Sequence, residues 1–203
     1  MVFNETLVVI RLSRVPKAQV NKMQNVRPKS ERLIMKLETN AMIRAVHAQD
    51  ASSISAIYNH YIENTVVTFE EEVVTASEII KRITQITAND LPWFVAEDES
   101  GNILGYAYAT KWRDRFSYRF SVEVTVYLSP DHISKGLGTK LYQVLFDELK
   151  RKKIHSAIGG ITLPNEASIA LHEKFGMVKV AHFKEVGLKF DRWLDVGYWQ
   201  ATI

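Results

Sequence analysis

No cysteine occurs anywhere in the 203 residues. That absence removes disulfide frameworks, zinc–thiolate sites and thiol nucleophiles from consideration. Also missing is any apolar run near the roughly 18 residues that a membrane-spanning helix needs. The short apolar patch at residues 7–10 has no basic residue before it and no long hydrophobic region around it, so no secretory leader is expected. Charge of one sign is scarce as well. A net charge of +3 and a pI of about 9.0 suit an anionic ligand but are too small to indicate nucleic acid. His47, His60, His132, His155 and His182 lack metal-ligand spacing, and no repeat or low-complexity segment interrupts the chain. What remains, 46% hydrophobic and 24% charged residues, is the composition of a soluble globular domain, expected in the cytoplasm and without a membrane, nucleic-acid or metal partner.

Residues 1–41 differ from the rest: eight Lys/Arg stand against three Asp/Glu, with no glycine. They read as a basic, flexible N-terminal extension, either a functional arm or, the preferred reading, a dispensable tail. Residues 42–203 then form the domain. MIRAV from Met42 reads as a first strand. Asp50 is an expected N-cap for a helix with Ile54, Ile57, Tyr58, Tyr61 and Ile62 at helical spacing. A second helix is predicted over residues 76–86, with Ile79, Ile80, Ile83 and Ile86 on one side. Strands follow at residues 93–97 and 103–110, joined by the turn signal at residues 98–102. The strand at residues 120–128 leads into a glycine-bearing loop and a helix whose buried stripe is Leu137, Leu141, Val144, Leu145 and Leu149. A strand at 154–162, a helix at 165–174 and strand-like residues 178–202, with turns at Gly187 and Asp191-Arg192, complete the chain. The order β-α-α-β-β-β-α-β-α-β-β predicts an α/β fold with a mixed sheet.

The segment at residues 122–141, VEVTVYLSPDHISKGLGTKL, carries most of the functional signal. A strand, a turn at Ser129-Pro130, a glycine loop and a helix start aim consecutive backbone N–H groups and a helix dipole at one point, where a polyphosphate fits. Two nucleotide motifs are excluded: a P-loop needs Lys after its last glycine, where Thr139 stands, and a dinucleotide fingerprint needs a third glycine, where Leu141 stands. A plain strand-to-helix turn is the competing reading. The flanking Lys135 and Lys140 and the hydroxyls of Ser134 and Thr139 favour the phosphate.

The order strand, Ser129-Pro130-Asp131-His132, Gly136-Leu137-Gly138, helix, then Asn165-Glu-Ala-Ser-Ile-Ala-Leu-His172-Glu-Lys-Phe-Gly176 resembles the GNAT superfamily of acetyl-CoA-dependent N-acetyltransferases. The resemblance is strongest to those acting on phosphinothricin and methionine sulfone or sulfoximine, and it extends from Met42 to the C-terminus. Asn59 to Glu63, Thr68-Phe69, Pro92 to Glu97, Val122 to Tyr127 and Arg192 to Gln200 add to it. It implies a mixed, mostly antiparallel central sheet with helices on both faces, acetyl-CoA as co-substrate and a homodimer, with residues 193–199 a candidate contributor to the interface. One departure stands out. The superfamily loop usually begins with Gln or Arg three residues before its first glycine, and here Ile133 occupies that place, which implies a weaker loop anchor.

Attack of an amine on a thioester needs a base for the ammonium, donors for the developing oxyanion and an acid for the leaving thiolate. Strand alternation puts Ser121, Glu123, Thr125 and Tyr127 on one face, and the resemblance places the catalytic glutamate at Glu123; the alternative is an ordinary solvated strand face. Asn165, Ser168 and His172 share one side of the short helix. The resemblance makes His172 the proton donor to the thiolate, and the alternative is a structural histidine. It assigns cofactor contacts to the backbone of Val126, Tyr127 and Leu128, to Ser134, Lys135, Gly136, Leu137, Gly138 and Thr139, and to Asn165. Lys174 is added for the cofactor's charge, unless it is simply solvated. Arg113, Asp114 and Arg115 beside Trp112 and Tyr118 can recognise a carboxylate and a second polarised oxygen group, with Phe69 and Tyr118 lining the pocket, unless the segment is a basic surface loop. The expected activity is acetylation of the α-amine of a small amino-acid analogue. A peptide N-terminus or other amine as acceptor, and a non-catalytic acyl-CoA-binding module, are the competing readings.

Overall fold

The computed structural model describes residues 41–133 and 136–203. The extension at residues 1–40, and Ser134 and Lys135 of the glycine loop, lie outside the described residues. The elements run β1 (Met42–Ala45), α1 (Ala51–Asn64), α2 (Ala76–Ala88), β2 (Trp93–Glu97), β3 (Ile103–Lys111), β4 (Ser121–Leu128), α3 (Leu137–Arg151), β5 (Ser156–Leu163), α4 (Glu166–Lys174), β6 (Val178–Lys189) and β7 (Arg192–Thr202). This is the expected order, with short 3-10 turns added at Ala48–Asp50, Phe116–Tyr118 and Pro130–His132. The strands form one sheet in the order β1-β2-β3-β4-β5-β7-β6. Every neighbouring pair is antiparallel except β4 and β5, which α3 connects as a crossover.

Alternation along β4 divides the helices between the two faces. Tyr127 packs on Tyr58 and Tyr61 of α1, with ring centroids 5.1 Å apart in both pairs. Leu128, one residue on, reaches the opposite face, where it approaches Gly138 of α3. The core stripe of α3 is Leu137, Leu141, Leu145 and Leu149, all fully buried, with Tyr142 and Phe146 beside them. Val144, expected in that stripe, is only half-buried. In α2, Ile79, Ile83 and Ile86 are buried whereas Ile80 is 40% exposed; at 3.6 residues per turn it lies past the edge of the apolar face.

Two local expectations fail. Asp50 does not cap α1 with its side chain, because the chain is already helical there (φ −76°, ψ −12°). Its carboxylate instead accepts from Arg44, at 2.8 and 2.9 Å, and from the His47 N–H at 2.7 Å. Arg44 also donates to Glu97, so the trio ties β1 and β2 to the start of α1. Gly187 is not a turn but lies within β6, in a stretch whose pairing with β7 shifts register between Phe183 and Gly187. A side chain at Gly187 would strike the Phe69 ring, 2.3 Å from a Cβ built there; the glycine serves that close approach. The hairpin reverses at Phe190 and Asp191, both with positive φ, as a two-residue turn between antiparallel strands demands.

Candidate active site

β4 and β5 pair at only three positions: Ser121 with Ser156, Val122 with Ala157 and Glu123 with Ile158. Past Glu123 the strands part, β4 staying on β3 as far as Leu128 and β5 staying on β7 as far as Leu163. The Trp112 N–H donates to Ser121 O, so odd-numbered residues of β4 turn their backbone groups toward β3 and even-numbered ones turn theirs toward β5. The pair Glu123 with Ile158 uses the Val124 N–H as its last rung; beyond it the Val124 C=O and both backbone groups of Val126 face no paired strand. The Leu128 carbonyl is taken by the Tyr61 hydroxyl at 2.7 Å.

A cleft of about 450 Å³ fills the gap. Val124, Thr125, Val126, Tyr127 and Leu128 form one wall; Gly160, Ile161, Thr162, Asn165, Ser168 and His172 form the other; Ile133, Gly136, Gly138 and Thr139 close one end. Residues from both faces of the sheet take part, so the opening passes through it. Gly136 holds φ +77° at the N-cap of α3, a left-handed conformation that glycine adopts without penalty. The geometry suits a long, amide-bearing ligand with an anionic end: open strand groups accept its amides as an added strand would, and the helix start meets its charge.

Glu123 sits where the strands part. Its Oε1 lies 3.3 Å from the place a Cβ on Gly160 would occupy, with the Tyr198 ring at 3.2 Å from the same point. Burial pushes the carboxyl up, and Arg113 opposes the shift. Trp112 meets Tyr198 edge-on at 5.6 Å, and the Arg113 guanidinium lies over the Trp112 ring at 4.5 Å. This is a partly desolvated carboxylate with one cation nearby, a readier proton acceptor than an ordinary carboxylate.

His172 belongs to the opposite face. A Cβ on Gly159 would stand 2.4 Å from its Nε2, so that glycine makes room for the ring. His172 Nδ1 lies 2.7 Å from Ser168 O, which assigns the Nδ1 proton and leaves Nε2 to accept from the Tyr142 hydroxyl at 3.1 Å. Burial lowers the pKa of the ring, with the Ser168 carbonyl acting against it. Asn165 caps α4, its side-chain carbonyl accepting from the Ser168 N–H at 3.1 Å.

The other predicted positions divide. Leu137 is fully buried and faces the core rather than the cleft. The backbone of Tyr127 turns toward β3, opposite Tyr106, so its part in the cleft is played by its position in the wall. Lys174 is exposed and does not line the cleft; it follows His172 by two residues on a helix, which turns it away from that ring. Phe69 covers Gly187. Asp114, Arg115 and Tyr118 are exposed on the turn after β3; only Arg113 of that segment approaches Glu123. Sequence reasoning missed Tyr142, whose helical phase reads as core, and Tyr198. The signal that pointed to both neighbourhoods was Gly159-Gly160 inside a strand, since paired glycines there mark close approach.

On the Glu123 face there is also a smaller pocket of about 170 Å³ between α2 and β2–β3, with Tyr58, Arg82, Gln85, Trp93, Tyr108 and Thr110 in its walls. Among the described residues no group of His, Asp or Glu could hold a metal, and no helix is long and apolar enough to cross a membrane.

Residues 43–197 match the family model for the acetyltransferase (GNAT) domain. The chain is 36% identical over 168 residues to a phosphinothricin N-acetyltransferase of Streptomyces coelicolor, covering 76% of this chain and 92% of that protein. It is 37% identical over 164 residues to an L-methionine sulfoximine/L-methionine sulfone acetyltransferase of Salmonella typhimurium, covering 79% and 94%. A crystal structure of a phosphinothricin acetyltransferase from Sinorhizobium meliloti in complex with acetyl-CoA superposes with a TM-score of 0.78 at 37% identity, covering 80% of this chain and 88% of that one.

Proposed function

The chain belongs to the GNAT acetyltransferase family, and from that membership we propose that it transfers the acetyl group of acetyl-CoA to the α-amine of a small amino-acid analogue. Phosphinothricin, methionine sulfoximine and methionine sulfone are the acceptors to test, and detoxification of such compounds in the cytoplasm is the corresponding role. The observation that carries the reading is the split between β4 and β5, which opens past Glu123 and leaves the Val124 carbonyl and the backbone groups of Val126 facing the cleft.

The thioester supplies an activated acetyl group; the residues do the rest. The backbone of Val124 and Val126, with Leu128, holds the pantetheine amides, and the loop from Ser134 to Thr139 receives the diphosphate through main-chain N–H groups. Ile133 lines this end of the cleft and offers no polar group, so the loop relies on its backbone. Asn165 borders the pantetheine path. Glu123 takes a proton from the acceptor's ammonium, helped by a pKa above that of an ordinary carboxylate. Arg113 receives the acceptor's carboxylate, and Phe69, Asp114, Arg115 and Tyr118 border its approach. His172 returns a proton to the departing sulfur. That proton must first reach Nε2 from solvent, and burial, which lowers the ring's pKa, makes the protonated form a ready donor.

The protein acts as a homodimer in this reading. β6 is the outer strand of the sheet, yet it exposes Val178, Val180, Phe183, Val186 and Leu188. An apolar edge of that length calls for cover.

The deciding experiment follows thiol release from acetyl-CoA with a panel of amines: the three analogues, ordinary amino acids, a peptide N-terminus and a polyamine. Turnover confined to the amino-acid-like acceptors is expected. Binding of acetyl-CoA without turnover of any amine would instead identify a non-catalytic acyl-CoA-binding module.

A further inference from the structure

Adjacent residues of a strand point to opposite sides of the sheet. In β5, just past its last pair with β4, those residues are Gly159 and Gly160. Gly160 lies against Glu123 Oε1, and Gly159 lies against His172 Nε2. With the coenzyme's diphosphate at the Gly136 end, its sulfur arrives where β4 and β5 part. It then has the carboxylate on one side of the sheet and the groups of α3 and α4 on the other. What meets the sulfur on that second side is decided by which N–H or O–H is uncommitted.

His172 has none to spare. A protonated imidazole carries two N–H groups. Nδ1 is held by Ser168 O at 2.7 Å, with Ser168 Oγ at 3.4 Å, and Nε2 is held by the Tyr142 hydroxyl at 3.1 Å. Protonation of Nε2 reverses that second bond: the ring donates, the Tyr142 oxygen accepts, and the phenolic hydrogen turns elsewhere. Tyr142 lines the cleft together with Gly138, Gly160 and His172. Its ring is fixed edge-on against His172 and Phe175, with centroids 5.4 and 5.6 Å away, and packs on Phe146 at 5.6 Å. The phenylalanines offer that hydrogen no acceptor, which leaves the cleft. Burial raises the pKa of the Tyr142 hydroxyl, and Tyr108 and Glu123 add to the rise from the far side of the opening. The shift at His172 comes from burial and the Ser168 carbonyl. Of the pair, the hydroxyl is the member that faces the reacting groups.

We propose that Tyr142 is a catalytic residue whose hydroxyl, charged by His172, delivers the proton to the departing sulfur. The proposal rests on the acetyltransferase reading and refines its last proton step. As the C–S bond breaks, its electron pair stays on sulfur and takes the Tyr142 hydrogen. The Tyr142 oxygen takes the Nε2 hydrogen of protonated His172, and the ring ends neutral with Nδ1–H still on Ser168 O. No tyrosinate has to persist, a species that a buried hydroxyl resists. Solvent restores the Nε2 proton before the next turnover.

The test follows single-turnover transfer by the full chain with acetyl-CoA and the amine panel named above, with thermal melts alongside. Tyr142→Phe keeps the ring and removes the oxygen. Its rate is expected to fall by about 10²-fold or more, with the KM for acetyl-CoA within about threefold of wild type. If the His172 ring itself met the sulfur, losing that hydroxyl would release Nε2 and the rate would hold or rise; that result overturns the proposal. His172→Asn, which keeps an amide donor for Ser168 O, is expected to show a loss of similar size. The double variant should be about as slow as the slower single one, because the two groups act as a unit; losses that multiply overturn the relay. Imidazole nitrogen NMR of the wild type needs no variant to fold. The Nδ1–H tautomer is expected above neutral pH, and an Nε2–H tautomer overturns the bonding pattern the relay needs. Wild type that acetylates no amine overturns the transfer reading and the relay together, whereas undiminished turnover by Tyr142→Phe overturns the relay alone.

Discussion

Replacing Gly159 by alanine tests how tightly His172 is held. The added Cβ would lie 2.4 Å from Nε2 and 2.5 Å from Cδ2 of His172, where ordinary contact begins at 3.4 Å. The ring must therefore retreat by about 1 Å, but it is fixed from both sides, by Ser168 O at 2.7 Å and by the Tyr142 hydroxyl at 3.1 Å. Overpacking of this kind costs about 1–3 kcal/mol and one weakened hydrogen bond costs about 1 kcal/mol more. The stiffer alanine in the unfolded chain offsets about 0.4–1 kcal/mol, which leaves about 1–3.5 kcal/mol. For a chain of this size that lowers Tm by about 2–14 °C. If His172 delivers the proton to sulfur, a displacement of about 1 Å also costs on the order of 10²-fold in kcat. Gly160→Ala is the control. Its Cβ meets Glu123 Oε1 at 3.3 Å and Tyr198 Cε1 at 3.2 Å, a crowding that shifts of a few tenths of an ångström relieve, so Tm should stay within about 2 °C of wild type. The assay pairs thermal melts with single-turnover acetyl transfer. A Gly159→Ala protein that melts and turns over like wild type would refute the claim that the ring is pinned against that strand.

Glu123→Gln is expected to lower kcat by about 10²–10⁴ while leaving the KM for acetyl-CoA little changed; an unaltered kcat across the pH range would remove Glu123 from the role of base. Because the folded pKa of Glu123 is raised, the wild-type protein loses stability as pH climbs through that value. The same variant should therefore melt higher than wild type near neutral pH, with the difference vanishing toward about pH 4, where the unfolded carboxyl titrates. Lys189→Met takes away the ammonium that donates to Thr68 O at 2.8 Å and Glu70 O at 3.0 Å. Two orphaned carbonyls should cost about 2–4 kcal/mol and about 4–16 °C in Tm by scanning calorimetry; because the segment carries Phe69, the acceptor KM should rise more than kcat falls. On the homodimer reading, Phe183→Lys puts a charge in the exposed row of β6 and sedimentation should shift from dimer to monomer; a wild type that already sediments as a monomer refutes the dimer, and an unchanged coefficient in the variant refutes an interface at β6.

Much of the architecture was legible in the sequence because it rests on periodicity. The alternation along β4 assigned Glu123, Thr125 and Tyr127 to one side before any contact was known, and the leucine spacing of α3 gave its buried face. The active-site groups resisted reading where they depend on relations between distant segments. Nothing local says that β4 and β5 pair at three positions and then diverge, since divergence is set by what β3 and β7 hold on either side. Tyr142 has the phase of a core residue and is one, so its hydroxyl on His172 carries no separate signature. Asp50 precedes a helix as a cap would, and only the arrival of Arg44 from β1 diverts its carboxylate. Gly187 has turn-like composition but serves the Phe69 ring, which comes from more than a hundred positions earlier.

The gap in the sheet has two mouths, with Glu123 at one and His172 near the other. Donor and acceptor can approach from opposite directions, and neither has to vacate the passage before its counterpart arrives. In the direct-transfer reading both must be present together, and initial-rate plots should intersect rather than run parallel; parallel plots would point to an acetylated enzyme instead. On that reading, the backbone that gave up its ladder sets the kinetic order as well as the proposed place of the coenzyme.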